Sequence, residues 1–181
     1  MSQGEITNIS KDKLSLMISK EQIRNRVKEL GARIRKDYGT ENIHILCVLN
    51  GAFIFAADLM REIESPCEIS FIRLSSYSGT ETTGSVKKVS NLPDTLTGKN
   101  VLIVEDIIDT GITMKYLIGE INKMNPKSVK VAALFDKPSR RKCEVQIDYT
   151  GMEIEDKFIV GYGLDYNEMY RNLPDVYTSE I

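Results

Sequence analysis

Histidine and cysteine are scarce in this 181-residue sequence, which contains one histidine and three cysteines. His44 lies inside an apolar run, so we interpret it as structural, and its isolation argues against a histidine-based triad or a multi-histidine metal site. Cys47, Cys67 and Cys143 are odd in number and lack the spacing of metal ligands, which argues against a disulfide framework or a zinc site. We therefore expect each cysteine to be a small core or near-surface residue in a reducing cytoplasm.

Long apolar runs and excess positive charge are also missing. No stretch of about eighteen apolar residues is present, and residues 1–20 are polar and charged without a signal-peptide pattern, so we expect no membrane association. The formal net charge of −2 and the pI near 5.6 argue against broad electrostatic binding of nucleic acid. The length predicts a single domain, residues 1–181, with a substantial core.

The most informative stretch is residues 101–113, VLIVEDIIDTGIT. Its first four residues are apolar and mostly β-branched, which predicts a buried strand of a parallel sheet. The stretch then closes with Thr110, Gly111 and Thr113, and a helical pattern follows. A strand that turns into a helix in this way can hold a phosphate, because the backbone N–H groups of the first helical turn are unpaired and the helix dipole favours an anion.

Three carboxylates accompany this phosphate turn, at Glu105, Asp106 and Asp109. Two like charges about 5 Å apart repel by roughly 3 kcal/mol at an effective dielectric near 20, so such a cluster needs a cation. Mg²⁺ is the natural candidate, because it takes hard oxygen ligands and often bridges one or two carboxylates to a phosphorylated substrate.

Other segments predict an α/β arrangement around this stretch. Ser19 and Gln22 form a capping-box pattern before a helix that Gly39 is expected to end. Residues 43–49 and 128–135 read as further buried strands, and the first of them is followed by an Asn-Gly turn and a helix over residues 52–63. In open α/β sheets ligands bind at the carboxyl ends of the strands, which is where these turns lie.

Residues 101–113 resemble the phosphoribosyl-diphosphate-binding motif of the type I phosphoribosyltransferases, in the form that the hypoxanthine-guanine enzymes carry. Further matches run in order over residues 45–173. The resemblance implies a mostly parallel sheet flanked by helices on both faces, with a small hood formed by the N-terminal segment and residues near 140–181. It also implies a mobile loop over residues 75–85 that contains Ser76 and Tyr77 and closes over the diphosphate, so that water is excluded.

The resemblance assigns expected roles to individual residues. The ribose and 5′-phosphate group comprises Glu105, Asp106, Asp109, Thr110, Gly111, Ile112 and Thr113. The diphosphate group comprises Asn50, Gly51 and Arg171, and the purine group comprises Lys137, Phe158, Ile159 and Asp165. The expected Mg²⁺ ligands are Glu105, Asp106 and Asp165, and Asp109 is the expected general base or acid at N7 of the purine. Asn50 departs from the family pattern, in which lysine is common, and this removes a charge from the site.

The function implied is purine salvage, in which a 5-phosphoribosyl group passes reversibly from phosphoribosyl diphosphate to N9 of hypoxanthine or guanine. Two alternatives remain open at this point: an enzyme that prefers xanthine or another base, and a regulatory RNA-binding protein on the same fold. A plain structural domain would leave the loop chemistry unexplained. By resemblance alone, we expect a homodimer or homotetramer in the cytoplasm.

Overall fold

A computed structural model describes residues 13–76, 87–90 and 92–179 of the chain. The strands and α-helices among these residues follow one another along the sequence as β1 (Leu14–Ile18), α1 (Lys20–Tyr38), β2 (Ile43–Leu49), α2 (Phe53–Ile63), β3 (Cys67–Ser76), β4 (Lys87–Ser90), β5 (Asn100–Ile108), α3 (Ile112–Asn122), β6 (Ser128–Asp136), β7 (Tyr149–Glu153), β8 (Ile159–Val160) and β9 (Val176–Ser179).

The main sheet has the strand order β4-β3-β2-β5-β6-β7. All neighbouring strands in it are parallel except β4, which pairs with β3 in the antiparallel sense at one edge. The central strands β2 and β5 consist mainly of buried apolar residues because both faces of the sheet are covered. One face packs against α1 and α2, and the other against α3. The predicted fold class is therefore confirmed.

Helix α1 shows how local sequence sets the element boundaries. The Ser19 hydroxyl accepts a hydrogen bond from the Gln22 amide at 3.3 Å, and the Gln22 side chain accepts one from the Ser19 amide at 2.9 Å, so the predicted capping box is formed. Such a cap stabilises a helix by about 1 kcal/mol. The helix ends at Gly39, whose φ of 57° lies in a region that glycine adopts readily.

A second sheet has the order β1-β9-β8, and both of its pairings are antiparallel. Its strands come from the two parts of the chain that we expected to form the hood. Strand β7 lies within the segment near 140–181 that we expected to form the hood, yet it joins the main sheet beside β6. That segment is therefore divided between the two sheets. Tyr77 and most of the expected mobile loop lie outside the described residues, whereas Ser76 is the last residue of β3.

The single histidine and the three cysteines lie where a structural role would place them. His44 is buried, with Nε2 2.9 Å from the Ser70 hydroxyl oxygen, in keeping with a structural role. Cys47, Cys67 and Cys143 are all free cysteines. Within the part of the chain that the structure describes, no helix has the length and apolar character needed to cross a membrane.

Candidate active site

A cavity of about 390 Å³ opens at the carboxyl-terminal edge of the main sheet. It brings together most of the residues that the sequence singled out, namely Asn50, Gly51, Glu105, Asp106, Asp109, Thr110, Gly111, Thr113, Asp165 and Arg171. Ile112, Lys137, Phe158 and Ile159 do not line it. The expected ribose, phosphate and diphosphate residues other than Ile112 therefore share one cavity with Asp165, whereas the other three expected purine residues are outside its lining.

The phosphate turn connects β5 to α3. Gly111 precedes the helix with a φ of 78°, and its carbonyl oxygen accepts a hydrogen bond from the Lys115 amide at 2.9 Å. A Cβ atom at residue 111 would lie 3.0 Å from the Cys143 carbonyl oxygen, so both the backbone conformation and the available space favour glycine. The first turn of α3 contains no acidic side chain, and its N–H groups can receive an anion. The Ile112 amide makes one long contact of 3.4 Å with the Thr110 hydroxyl oxygen.

Asp106 lies directly against the turn at Gly51. A Cβ atom at Gly51 would come within 1.6 Å of Oδ2 of Asp106, so this close approach requires glycine. The Ile107 amide donates a hydrogen bond of 2.9 Å to Oδ1 of the same carboxyl group. Loss of hydration raises the pKa of Asp106, and a hydrogen bond with Glu105 and the charge of Arg171 act in the opposite direction.

The carboxylates of Glu105 and Asp106 suit a Mg²⁺ ion whose remaining ligands come from the substrate. Glu105 and Asp106 offer adjacent carboxylates on the cavity wall, and Mg²⁺ is typically held by one or two carboxylates together with substrate phosphates. No group of three or more His, Cys, Asp or Glu side chains that could form an all-protein cage exists among the described residues. Asp165 already contacts the protein through both oxygens, with Oδ1 2.8 Å from Nη2 of Arg171 and Oδ2 accepting from the Glu168 amide at 2.8 Å.

Arg171 is fixed at the rim of the cavity by the backbone beneath it. Its Nη1 donates to the Gly163 carbonyl at 2.8 Å, and only 18% of its side chain is exposed. A Cβ atom at Gly163 would lie 2.1 Å from the Gly51 carbonyl oxygen, and the φ of Gly163 is +98°. The loop that carries Arg171 therefore packs on the Asn50-Gly51 turn, so the three expected diphosphate residues form one unit.

Three of the expected purine residues, Lys137, Phe158 and Ile159, do not line this cavity. Lys137 is 9% exposed and donates through Nζ to the Lys157 carbonyl at 2.6 Å. Phe158 is 43% exposed and meets the ring of Tyr166 edge-on, with a centroid separation of 5.8 Å. The Phe158 ring thus keeps an accessible surface that a planar base could cover. Ile159 is buried in β8.

Two residues that the sequence reasoning missed connect the parts of the site. Arg140 donates through Nε to Oδ1 of Asp109 at 2.9 Å and through Nη1 to Oδ2 of Asp156 at 3.1 Å. These contacts raise the pKa of Arg140, with the Asp156 hydrogen bond as the largest cause. The basic cluster after β6 was visible in the sequence, but its neighbour Arg141 pairs with Asp136 instead, and nothing local distinguishes the two arginines.

Comparisons with known proteins show which family the chain resembles. The family model for the phosphoribosyl transferase domain matches residues 18–167. The hypoxanthine-guanine phosphoribosyltransferase of Bacillus subtilis (strain 168) is 44% identical over 160 residues, which cover 88% of this chain and 89% of that protein. A crystal structure of a hypoxanthine-guanine phosphoribosyltransferase from Bacillus anthracis superposes with a TM-score of 0.82 at 42% identity and covers 96% of this chain and 98% of that one. A hypoxanthine phosphoribosyltransferase from Staphylococcus aureus gives a TM-score of 0.84 at 37% identity, with 97% of each chain covered.

Proposed function

The chain belongs to the phosphoribosyltransferase family, and we propose that it transfers a 5-phosphoribosyl group from phosphoribosyl diphosphate to N9 of hypoxanthine or guanine. The products are IMP or GMP and diphosphate, and the reaction is reversible. One observation carries the proposal: an open helix N-terminus, a pair of adjacent carboxylates and a fixed arginine line the same cavity. These are the groups that a sugar phosphate with an attached diphosphate requires.

The phosphate groups of the substrate are assigned to two sets of residues in the cavity. The N–H groups at the start of α3, from Thr110 to Thr113, bind the 5′-phosphate. Arg171 and the backbone of Asn50 and Gly51 bind the diphosphate, for which the planar guanidinium suits bidentate contacts. The ribose hydroxyl groups then face Glu105 and Asp106.

Glu105 and Asp106 are the residues that would hold Mg²⁺. When it is bound, the ion neutralises charge on the acids and on the diphosphate, so the leaving group departs with less electrostatic cost. Asp165 stays a predicted further ligand, and contact through a bound water would be compatible with its hydrogen bonds to Arg171 and Glu168.

Asp109 is the proposed proton acceptor. As N9 of the purine forms its bond to C1 of the ribose, the bond between C1 and the diphosphate oxygen breaks, and its electron pair leaves with the diphosphate. The N7–H bond of the base breaks, and the proton passes to the Asp109 carboxylate. Proton transfer of this kind contributes roughly 10²–10⁴-fold, and charge stabilisation and orientation supply most of the remaining acceleration.

Lys137 is the proposed reader of the base. An ammonium group has three donors and no acceptor, so it suits the oxygen at position 6 of hypoxanthine and guanine and disfavours the amino group of adenine. Phe158 offers an exposed ring surface for stacking, and the Ile159 backbone lies beside it for the base edge.

The deciding experiment is a parallel assay of hypoxanthine, guanine, xanthine and adenine with phosphoribosyl diphosphate, with and without Mg²⁺. We expect turnover of hypoxanthine and guanine that depends on the metal, and none of adenine. Preference for xanthine would point to the alternative substrate class. No turnover of either hypoxanthine or guanine would refute the proposal.

The role of Asp109 has its own test. Asp109→Asn keeps the size of the side chain but cannot take a proton, so kcat should fall by about 10²-fold or more in both directions. Lys142→Gln, at an exposed basic residue in the neighbouring loop, is the matched control and should keep its kcat. An unchanged kcat for Asp109→Asn in both directions would remove this residue from the mechanism.

The assembly and location are proposals that the family resemblance supports. We propose a homodimer or homotetramer that acts in purine salvage in the cytoplasm, and the three free cysteines are in keeping with a reducing compartment. Light scattering coupled to size-exclusion chromatography measures the assembly directly, and a monomer at assay concentration would contradict the first part.

A further inference from the structure

We infer that Arg140 is a positioning residue that holds Asp109 and, through Asp156, Lys137, so that the two groups meeting the purine act as one preorganised unit. This inference rests on the proposed function, because it concerns how the base is received. It assigns roles to Arg140 and Asp156, which the sequence patterns left unassigned.

Arg140 lies where two loops meet. It ends the short 3₁₀ turn Pro138–Arg140 that follows β6, and its amide donates to the Lys137 carbonyl at 3.1 Å. Its side chain reaches Asp109 after β5 through Nε at 2.9 Å and Asp156 before β8 through Nη1 at 3.1 Å. Because the guanidinium group is planar and rigid, two bonds from different nitrogens fix the relative positions of both carboxylates.

Asp156 extends the same contacts to the base-reading lysine. Its Oδ1 lies 3.6 Å from Nζ of Lys137, which in turn donates to the Lys157 carbonyl at 2.6 Å. The pKa of Asp156 is lowered, with the Arg140 hydrogen bond as the largest cause and the Lys137 charge among the others. Charges therefore alternate in sign along Asp109, Arg140, Asp156 and Lys137.

The order of these four side chains matches the chemistry of the purine. N7 and the oxygen at position 6 are neighbouring atoms on one edge of the base. Asp109 is assigned to N7 and Lys137 to the oxygen, so the spacing between them must suit that edge. Arg140 binds Oδ1 of Asp109, and the other carboxylate oxygen stays available for N7.

The contacts of Arg140 are better suited to orientation than to stability. The side chains of Arg140, Asp109 and Asp156 are 45%, 41% and 49% exposed, and solvent-screened ion pairs at such positions add little to the stability of a fold. A chain of this size then loses no more than about 8 °C in Tm when both pairs are removed. Kinetic effects of substitution at Arg140 can therefore be measured on a folded protein.

The test compares Arg140→Gln and Arg140→Lys with the control Lys142→Gln, which alters a basic residue two positions away. We expect Arg140→Gln to raise the KM for guanine by about tenfold or more, because a charge-assisted bond is lost, while the KM for phosphoribosyl diphosphate stays within about twofold. Arg140→Lys should recover only part of the loss, because a single ammonium group replaces two donors held in one plane.

Asp156→Asn supplies a second, independent variant. It should also raise the KM for guanine, and the double variant with Arg140→Gln should be no worse than the more severe single variant, because both act through one network. Simple addition of the two effects would show that Asp156 and Arg140 work separately. That outcome would overturn the inference.

Three further results would also overturn it: an unchanged guanine KM in Arg140→Gln, a parallel rise in both KM values, or equal effects from Lys142→Gln. Calorimetric titration with GMP and with ribose 5-phosphate measures binding without turnover. It therefore tests the role of Arg140 separately from the proposed activity. Weaker binding of GMP alone by Arg140→Gln supports the role of Arg140 even without turnover. Equal GMP binding by the wild type and the variant refutes it, whatever the assay of activity gives.

Discussion

Gly51→Ala is a sharp perturbation of the cavity, because it adds one methyl group at a point of close contact. The new Cβ would lie 1.6 Å from Oδ2 and 2.5 Å from Cγ of Asp106, so the two side chains cannot coexist in their present positions. The φ of Gly51 is not in the left-handed region, so alanine meets no backbone strain there. Two responses remain: the Asp106 carboxyl group rotates away, or the Asn50-Gly51 turn shifts.

Both responses have a similar cost in stability. Rotation breaks the 2.9 Å hydrogen bond from the Ile107 amide to Asp106, and a bond to a charged group is worth about 1.5–3 kcal/mol. A shift of the turn is overpacking, which costs about 1–3 kcal/mol. For a chain of this size, we expect the Tm to fall by roughly 2–12 °C.

The functional signature is more specific than the loss of stability. Either response displaces Asp106 or the diphosphate turn, so the KM for phosphoribosyl diphosphate and the Mg²⁺ concentration for half-maximal rate should both rise, by about tenfold if one charge-assisted contact is lost. The assay is initial-rate kinetics over a matrix of substrate and metal concentrations, together with a thermal scan.

Gly119→Ala is the matched control for Gly51→Ala. Gly119 lies within α3, and a Cβ atom there meets nothing within 4 Å, so alanine should stabilise the helix by up to about 1 kcal/mol and leave both kinetic constants unchanged. If Gly51→Ala lowers neither the Tm nor the apparent affinity for the metal and for phosphoribosyl diphosphate, the contact between Gly51 and Asp106 has no role in binding.

Three further predictions concern other parts of the chain. Asn50→Lys adds a positive charge at the cavity and should strengthen inhibition by diphosphate by about two- to fivefold. Unchanged inhibition would count against a diphosphate site at this residue. Burial holds the pKa of His44 below its usual value, so the unfolded chain takes up a proton below about pH 6.5 before the folded one does. The free energy of unfolding in urea should thus fall from pH 7 to pH 5.5, and His44→Asn should abolish that fall; an equal fall in the variant would contradict the argument. Tyr149→Phe removes hydroxyl contacts to Asp37 at 2.8 Å and to Lys130 at 3.1 Å. The free energy of unfolding should therefore fall by about 1–2 kcal/mol. A change in kcat would show that the effect is not confined to stability.

Elements with a strong local signal were predictable from the sequence. β5 is an apolar, β-branched run because it is covered on both faces, and α1 begins at a capping box that is complete within four residues. In both cases the residues that determine the element lie within it or directly beside it in the sequence. The order of the phosphate, diphosphate and purine segments along the chain stays a prediction, which the family resemblance supplied through its motif residues and their spacing.

Strand β7 shows where local information ends. Its sequence, YTGME, has little apolar character, and it was expected to be part of the hood. Gly151 explains its position, because a Cβ atom there would lie 2.4 Å from the Leu134 carbonyl oxygen of β6. The strand is held by a close approach to its neighbour, and such a contact between distant segments leaves only an unremarkable glycine in the sequence.

The basic residues after β6 give the clearest case within the site. Arg140, Arg141 and Lys142 are adjacent and chemically similar, yet Arg140 bridges Asp109 and Asp156, Arg141 pairs with Asp136, and Lys142 is exposed. Because a 3₁₀ turn ends at Arg140, the three side chains reach different partners, and the geometry of that turn cannot be inferred from charge alone. Motif spacing therefore predicts which groups at the ends of the strands meet the substrate. The contacts of Arg140 with Asp109 and Asp156 depend on how a neighbouring loop packs, and only the folded structure shows them.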